Sequence, residues 1–582
     1  MIQMKSSDYI VDFLVNRGIK HCYGFQGTMI AHLVDSICAD PRIRNHVCYN
    51  EQGAAYAAVG EAKISGKPSV AYATSGPGAT NLLSGISDAY FDSAPVVFIT
   101  GQLNTNEYLP IPGIRQHGFQ EMDVVSVMKP VLKYAHMIQD PEEIRETLEA
   151  AFYWASEGRP GPVLVDIPMN MQRAGIDPQA LKGFDPPKEA GEAQRETADE
   201  AVRSIIEELQ RSERPVLMIG NGIRKDERED ILQLIEAMNI PVITSMLGRD
   251  IIPCDHPLNY GMIGSAYGHR YSNMIVNTKA DLIIALGCSL CKRQTGVKFH
   301  EFAKGAKIIR VDIDPTELKR EIKDDEIQIQ MDCNILIPAL TKSLAEESFD
   351  WGEWVGVCSA IRSKLNAFDA TCEERLPNRI ISEISKHTAE FKNISVDVGQ
   401  HQVWAAQSYG LRGDQRMICS GGYGAMGFSR PAAIGASIST EDPTLVIAGD
   451  GAIQMNIQEL QWVVREQLPI TIVILNNRSL GLIQQQQDDI FKSRYSGSLD
   501  VGGYTVPDFY EVGKAYGLSS HKIDSEEGLA ETFAQLDPRV PNLVEIQLPS
   551  SVRAFPKTNF GDPIHDQKPH MPRELMDELL HL

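Results

Sequence analysis

The stretch Gly449–Asn477, GDGAIQMNIQELQWVVREQLPITIVILNN, limits the fold more than any other part of the sequence. It follows Thr444–Ala448 (TLVIA), a short run rich in β-branched residues, so Gly449 is expected where a strand ends. Ile453, Ile457, Leu460 and Val464 then recur at helical spacing. Ile470–Leu475 (ITIVIL) is an unbroken apolar run, the pattern of a parallel strand buried on both faces. A right-handed strand–helix–strand crossover puts both loops at the carboxyl end of one sheet, so Asp450 and Asn477 should converge. Two hard oxygen ligands, beside glycines that admit a close backbone approach, suit Mg²⁺ or Ca²⁺ carrying a diphosphate. Mg²⁺ suits the pattern better, because it binds through few protein oxygens and completes its shell with phosphate. A simple turn would account for the Gly-Asp-Gly half or the Asn-Asn half taken singly. It accounts poorly for both halves framing one unit.

At 582 residues the chain has room for three or four domains, and its 43% hydrophobic and 23% charged residues are those of an ordinary globular protein. No apolar run reaches membrane-spanning length, and the start, MIQMKSSDYIVDFL, lacks a basic region followed by an apolar signal core. Ten cysteines scattered along the chain point to reduced thiols in a cytoplasmic protein rather than to a disulfide framework or zinc. The net charge of −22 argues against nucleic acid or an anionic membrane as partner. A phosphate-bearing ligand must therefore be held by glycine loops, a metal or single arginines.

Three α/β segments separate along the chain. Up to about Ala174, helical stretches alternate with strands expected at Ser69–Ala73, Val96–Thr100 and Val163–Ile167. The polar stretch GIDPQALKGFDPPKEAGEAQRE reads as a linker. A second segment has strands expected at Pro215–Ile219, Val242–Thr244, Leu282–Leu286 and Lys307–Val311. A helical connector, roughly Asn334 to Arg379, leads to the third. Thr74–Gln102 (TSGPGATNLLSGISDAYFDSAPVVFITGQ) repeats the layout of Gly449–Asn477, so the first and third segments read as distant copies. A ligand cleft is expected between their carboxyl edges.

GDG…NN, together with YNEQGAAYAAVGEA, TSGPGATN, DVGQHQVWAAQ and SGGYGAMGFSRPAAIGA, resembles the thiamine-diphosphate-dependent enzymes, in the acetolactate-synthase-like branch. The resemblance spans nearly the whole chain. It implies three doubly wound parallel α/β domains: a pyrimidine-binding domain over residues 1–174, a central domain over 190–345 and a diphosphate-binding domain over 375–550, with a tail over 551–582. It also implies active sites formed between two subunits of a homodimer or homotetramer.

Residue roles follow from the matching positions. Asp450, Asn477 and the carbonyl of Ser479 would hold Mg²⁺. Gly399, Gln400, His401, Gly451 and Ala452 would surround the diphosphate and Val398, Gly424 and Gly481 would contact the cofactor, with Met426 as the apolar wedge that bends it. Phe25, Gln26, Gly27, Thr74 and Asn81 fall on the pyrimidine side. Glu51 would exchange a proton with the aminopyrimidine ring, a task that needs an acid in a sheltered cleft. As a bare glutamate at a helix start it would merely favour the helix dipole. Phe119 and Gln120 would line the substrate side. Gly422, Gly424 and Gly427 also spell GxGxxG, but no acid ending a second strand follows at the spacing a dinucleotide site needs.

The implied reaction decarboxylates a 2-keto acid, pyruvate above all, with the cofactor ring as electron sink, and joins the two-carbon unit to a second carbonyl. Departures from the synthases fall on the acceptor side. Met169 stands for a lysine, Ala266 for a histidine beside the flavin, and Gln486 for a tryptophan that selects the acceptor, whereas Arg293 is kept. Together with the tail FPKTNFGDPIHDQKPHMPREL, these open the acceptor to a bulky ketone or ketosugar. Arg159, Gly220, Gly222, Arg293, Asp312 and Asp332 match flavin-contact positions, while Ser289 and Cys291 depart from the synthase pattern. FAD is thus expected, with ADP or an empty site as alternatives. A true acetolactate synthase, a decarboxylase or hydrolase on the same cofactor, and a non-catalytic regulatory homologue are the competing readings. Intact Glu51, Asp450 and Asn477 oppose the last.

Overall fold

Apolar runs with no polar alternation need cover on both faces, and that is where the fold puts them: Ser69–Ala73, Val96–Gln102, Val163–Pro168 and Ile470–Asn476 are buried throughout. They belong to a computed structural model that describes residues 3–108, 113–187, 191–224, 228–559 and 561–582, residues 191–196 by backbone alone. Three six-stranded parallel sheets, flanked by helices, follow one another along the chain. The observed strands match the expected ones, several running one or two residues longer at the carboxyl end, as at Gly449 and Asn476.

The first sheet comprises His21–Gly24, Arg44–Val47, Ser69–Ala73, Val96–Gln102, Tyr134–Met137 and Val163–Pro168. The third comprises Asn393–Val396, Arg416–Cys419, Thr444–Gly449, Ile470–Asn476, Ser519–Ile523 and Asn542–Gln547. Numbered in chain order, both sheets run 2-1-3-4-6-5, so the internal likeness read from the sequence is present in the topology. The central sheet, Pro215–Ile219, Val242–Thr244, Asn259–Met262, Leu282–Leu286, Lys307–Asp312 and Ile327–Gln330, runs 3-2-1-4-5-6, the order of dinucleotide-binding sheets.

Three expectations change. The single helix read from Ile453 to Val464 is broken into Asp450–Gln454, the one-turn Ile457–Glu459 and Leu460–Arg465. Asn456 causes the break: its φ is 64°, a left-handed conformation that asparagine tolerates. Its side chain donates to Gly427 O at 3.1 Å and to Gln52 Oε1 at 2.9 Å, contacts that a continuing helix would forfeit. The polar linker is structured at both ends. Gly175–Ile176 pairs antiparallel with Met4–Lys5, and helix Gly191–Arg211 has begun before the stretch ends. Its residues 188–190 lie outside the described residues. The connector is three helices, Cys333–Leu344, Gly352–Ala370 and Leu376–His387.

The first and third domains meet where helix Glu51–Ser65 crosses helix Ser429–Thr440 with backbones touching. A Cβ on Gly60 would stand 2.1 Å from Ala432 O, and one on Gly435 would stand 1.8 Å from Ala57 O. Lys63 seals the crossing: its ammonium donates to Asp88 at 2.9 Å, Asp92 at 2.7 Å and Cys419 O at 2.9 Å. The tail returns to the central domain, where Gln567 donates to Gly268 O at 2.9 Å and buried Arg270 to Pro569 O at 2.9 Å. Helix Arg573–His581 then buries Met576 and Leu579 among Ile283, Trp354 and Cys358.

The crossing yields a test. Gly435→Ala forces the two helices apart and should lower the melting temperature by several degrees, since overpacking of this kind costs about 1–3 kcal/mol or more. Gly356→Ala, in a helix with nothing within 4 Å of the added methyl, should leave the melt unchanged or raise it.

Candidate active site

Asp450 stands at the carboxyl end of strand Thr444–Gly449 and opens a short helix. It is buried, its Oδ2 accepts the Ser479 N–H at 3.1 Å, and its Oδ1 accepts the Tyr504 hydroxyl at 2.9 Å. Burial pushes the carboxyl up to about 6, against the pull of these hydrogen bonds. Asn477 follows the next strand and donates to Gln400 Oε1 at 3.1 Å, a bond that leaves its own carbonyl oxygen available to a cation. Ser479 donates its hydroxyl to Gln484 Oε1 at 2.6 Å, which fixes the turn whose N–H meets Asp450. Among the described residues no group of three His, Cys, Asp or Glu could hold a metal. The candidate set is therefore one carboxylate, one amide and one carbonyl, hard oxygens of the kind Mg²⁺ takes alongside phosphate.

His401 supplies the test of fit for a diphosphate. Its ring fills the space beside two glycines: a Cβ on Gly399 would lie 2.5 Å from it and one on Gly449 2.7 Å. Burial pushes its pKa down to about 4, so the ring is neutral near pH 7. Its Nε2 is buried without a hydrogen-bond partner. A buried imidazole nitrogen without a partner, beside two glycine loops, is a polar atom for a ligand to satisfy, and a diphosphate oxygen fits it in the tautomer that carries the proton on Nε2. Gly481 makes room for Gln400, whose amide oxygen would be 1.9 Å from a Cβ there. Val398 donates its N–H to Asp397 at 2.8 Å, and Ala452 is buried.

Asp397 orders the loop carrying Gly424 and Met426. Its carboxylate accepts Gly427 N–H at 2.9 Å and both the N–H and hydroxyl of Ser429, at 2.9 and 2.6 Å. Asp92 of the first domain pins the loop's other end, accepting Gly421 N–H at 2.8 Å and Gly422 N–H at 2.7 Å. Between these anchors, Met426 brings its Cε within 3.4 Å of where a Gly451 Cβ would be.

The first sheet presents the other half. Glu51 opens helix Glu51–Ser65, is 7% exposed, and accepts the Asn81 amide on Oε2 at 2.9 Å. Thr74 ends the strand Ser69–Ala73, packs against Gly27 and accepts Met29 N–H at 3.3 Å. Phe25 and Gln26 follow strand His21–Gly24 and are exposed. Gln120 has a left-handed φ of 64° and lies against Gly76, while Phe119 is 78% exposed. Within one chain none of Glu51's hydrogen bonds reaches the Asp450 set.

In the central domain Gly220 and Gly222 press on Gly287: a Gly220 Cβ would be 2.0 Å from Gly287 O, and Gly222 N–H donates to that oxygen at 3.0 Å. This pinch lies at the switch point of the 3-2-1-4-5-6 sheet, where nucleotides bind. The polar residues assigned to a flavin have other partners. Arg159 pairs with Asp314 at 3.1 Å and Glu317 at 2.9 Å, and Arg293 donates to Gly421 O at 2.9 Å. Asp332 caps helix Cys333–Leu344 and pairs with Arg224 at 3.0 Å, and Asp312 accepts Asp314 N–H at 2.9 Å.

Comparison with known families decides what this arrangement is. Family models described as the N-terminal TPP binding domain, the central domain and the C-terminal TPP binding domain of thiamine pyrophosphate enzymes match residues 4–127, 202–340 and 397–546. Acetolactate synthase 1, chloroplastic, of Zea mays is 34% identical over 573 residues, 97% of this chain and 88% of its own length. The acetolactate synthase isozyme 2 large subunit of Escherichia coli (strain K12) is 34% identical over 559 residues, 95% and 97% of the two chains. A probable acetolactate synthase large subunit of Methanocaldococcus jannaschii is 34% identical over 550 residues, 91% and 90%. The chain is a thiamine pyrophosphate enzyme of the acetolactate-synthase-like branch.

For a thiamine pyrophosphate enzyme, sequence reading missed four polar residues at these edges. Asp397 and Asp92 hold the Met426 loop, Tyr504 holds Asp450, and Glu459 accepts Tyr49 N–H on both carboxylate oxygens at 3.1 and 3.2 Å. Each acts across at least 30 residues of sequence, so no local pattern announces it. Of the acceptor-side positions, Met169 is half-buried, Gln486 is exposed on helix Gly481–Phe491, and Ala266 accepts Thr558 N–H from the tail at 2.9 Å.

A metal held by Asp450 would have to displace its proton below about pH 6. Mg²⁺ titrations in the presence of thiamine diphosphate should accordingly show affinity nearly constant above pH 7. It should fall by about tenfold per unit below 6, and Asp450→Ala should abolish the trend together with tight binding.

Proposed function

We propose that this chain is a Mg²⁺- and thiamine-diphosphate-dependent carboligase that decarboxylates pyruvate and joins the two-carbon unit to a second carbonyl. The observation that carries this reading is an intact pair of half-sites: buried Glu51 at one carboxyl edge, and the Asp450, Asn477 and Ser479 loops with an orphaned His401 nitrogen at the other. When bound, thiamine diphosphate supplies the electron sink for decarboxylation. The residues do the rest. Asp450, Asn477 and the Ser479 carbonyl would hold the metal, His401 Nε2 would meet the diphosphate, and Met426 would prop the cofactor ring. Asn81 fixes Glu51 so that its second oxygen, Oε1, can exchange a proton with the aminopyrimidine nitrogen. A binding-only protein has no use for that acid.

Two copies complete the site in this reading. The rim of Glu51 is apolar and open, with Phe25 41%, Tyr49 41% and Phe119 78% exposed, a surface that a second copy would cover. The acceptor best supported by the names of the relatives is a second 2-keto acid, as in an acetolactate synthase. Uncharged Met169, small Ala266 and exposed Gln486 favour, as a second reading, a bulkier ketone or ketosugar. The glycine pinch of the central domain supports FAD, which should be released on denaturing a yellow protein. Among the described residues no helix is long and apolar enough to cross a membrane, which accords with a cytoplasmic enzyme.

Glu51→Gln should keep the cofactor and lose about 10²–10⁴ in turnover. Co-expressing Glu51→Gln with Asp450→Ala should restore up to about a quarter of wild-type activity, because one site of each mixed dimer is intact. Recovery no greater than either variant alone would place both half-sites in one chain. Mass spectrometry of products from labelled pyruvate, offered 2-ketobutyrate and a 4-ketosugar nucleotide in competition, decides the acceptor.

A further inference from the structure

The segment Arg494–Tyr504 carries no role in the reading above, yet it touches both loops that bear the metal ligands. At its start it is bound to helix Gly481–Phe491: Tyr495 hydroxyl donates to Asp488 Oδ1 at 2.6 Å, Gln487 donates to Ser496 O at 3.0 Å, and Ser498 hydroxyl donates to Gln487 Oε1. Its middle is closed on itself, with Gly497 N–H on Gly502 O at 2.9 Å and Tyr504 N–H on Leu499 O at 3.0 Å. Ser498 O accepts the N–H of Leu480, the residue after Ser479, at 3.0 Å. Tyr504 hydroxyl donates to Asp450 Oδ1 at 2.9 Å and lies 2.9 Å from where a Gly451 Cβ would be. One small closed loop thus grips the Asn477–Ser479 turn with its backbone and the Gly449–Gly451 turn with a phenol.

We infer that Tyr504 is a positioning residue of the metal site, and that the 494–504 loop is a brace holding the two ligand loops at the separation the metal needs. Asp450 Oδ1 keeps a second lone pair, so the phenol can remain while the same carboxylate takes a cation. The phenol then fixes the carboxylate's rotation, with Ser479 N–H fixing the other oxygen. Partners of this kind behind a metal ligand typically change metal affinity by about 10–100-fold when lost. Coupling is reciprocal: a brace that tightens metal binding is itself tightened by the metal. The loop holds two exposed trypsin sites, Lys492 and Arg494, at its approach, so its tightening can be read directly.

The inference rests on Asp450 being the metal ligand. The test uses the full-length protein with thiamine diphosphate, Mn²⁺ as a spectroscopic probe and no substrate. Free Mn²⁺ is followed by electron paramagnetic resonance, and cleavage after Lys492 and Arg494 is timed with and without metal. Tyr504→Phe should weaken Mn²⁺ binding by about tenfold, leave the metal-free melting temperature unchanged, and abolish the metal-induced protection seen in wild type. Equal Mn²⁺ affinity in Tyr504→Phe, or protection undiminished by the substitution, overturns the brace. Wild type that binds no Mn²⁺, or binds it as well after Asp450→Ala, overturns the metal site itself and the brace with it.

Discussion

A single ammonium ties the first domain to the third. Lys63, with 10% of its side chain exposed, sits between Asp88 and Asp92 and donates its remaining proton to Cys419 O. Removing it would strand two buried carboxylates, a far greater cost than the pair's net worth. The anchor has a second effect. Asp92, held in place by Lys63, spends both oxygens on consecutive backbone N–H groups at the start of the Met426 loop. The loop that carries Met426 in the third domain is therefore held by a charge in the first. Arg293, reaching Gly421 O from the central domain, makes that loop a place where all three domains touch.

The matching 2-1-3-4-6-5 order of the outer sheets divides the chemistry cleanly. Loops at a parallel sheet's carboxyl end are free of ladder hydrogen bonds, so residue types there can change without disturbing the core. One edge carries an acid with an amide partner, Glu51 and Asn81; the other carries Asp450, Asn477 and an imidazole with one nitrogen unpartnered. The central sheet departs from that order and keeps a glycine pinch. There the arginine and acids that could meet a nucleotide are already paired with protein groups.

Much of this was legible because parallel sheets write themselves plainly. Runs such as Ile470–Leu475 have one stable environment, and the loops that follow them have one place to go. The Asp450 and Asn477 convergence, the three sheets and the kinship of the outer two all follow from that. What was not legible depends on contacts between distant residues. Asn456 ended a helix that periodicity would continue, because its amide binds Gly427 and Gln52, residues the sequence places far away. Asp397, Asp92 and Tyr504 are ordinary polar residues until the fold brings backbone N–H groups or a carboxylate to them. Arg159 and Asp332 show the opposite case. Their identity suggests a ligand, but Glu317 and Arg224 are the partners within reach.

The returning tail bears on how the molecule is made. Met571, Met576 and Leu579 fill the same core as Met218, Ile283 and Trp354, and Lys279 donates to Leu580 O at 2.9 Å. The second domain to leave the ribosome is thus the last to be finished, because part of its interior is encoded after the third. Until helix Arg573–His581 emerges, the nascent domain exposes the apolar face that this helix covers, and this is the interval in which it is open to aggregation.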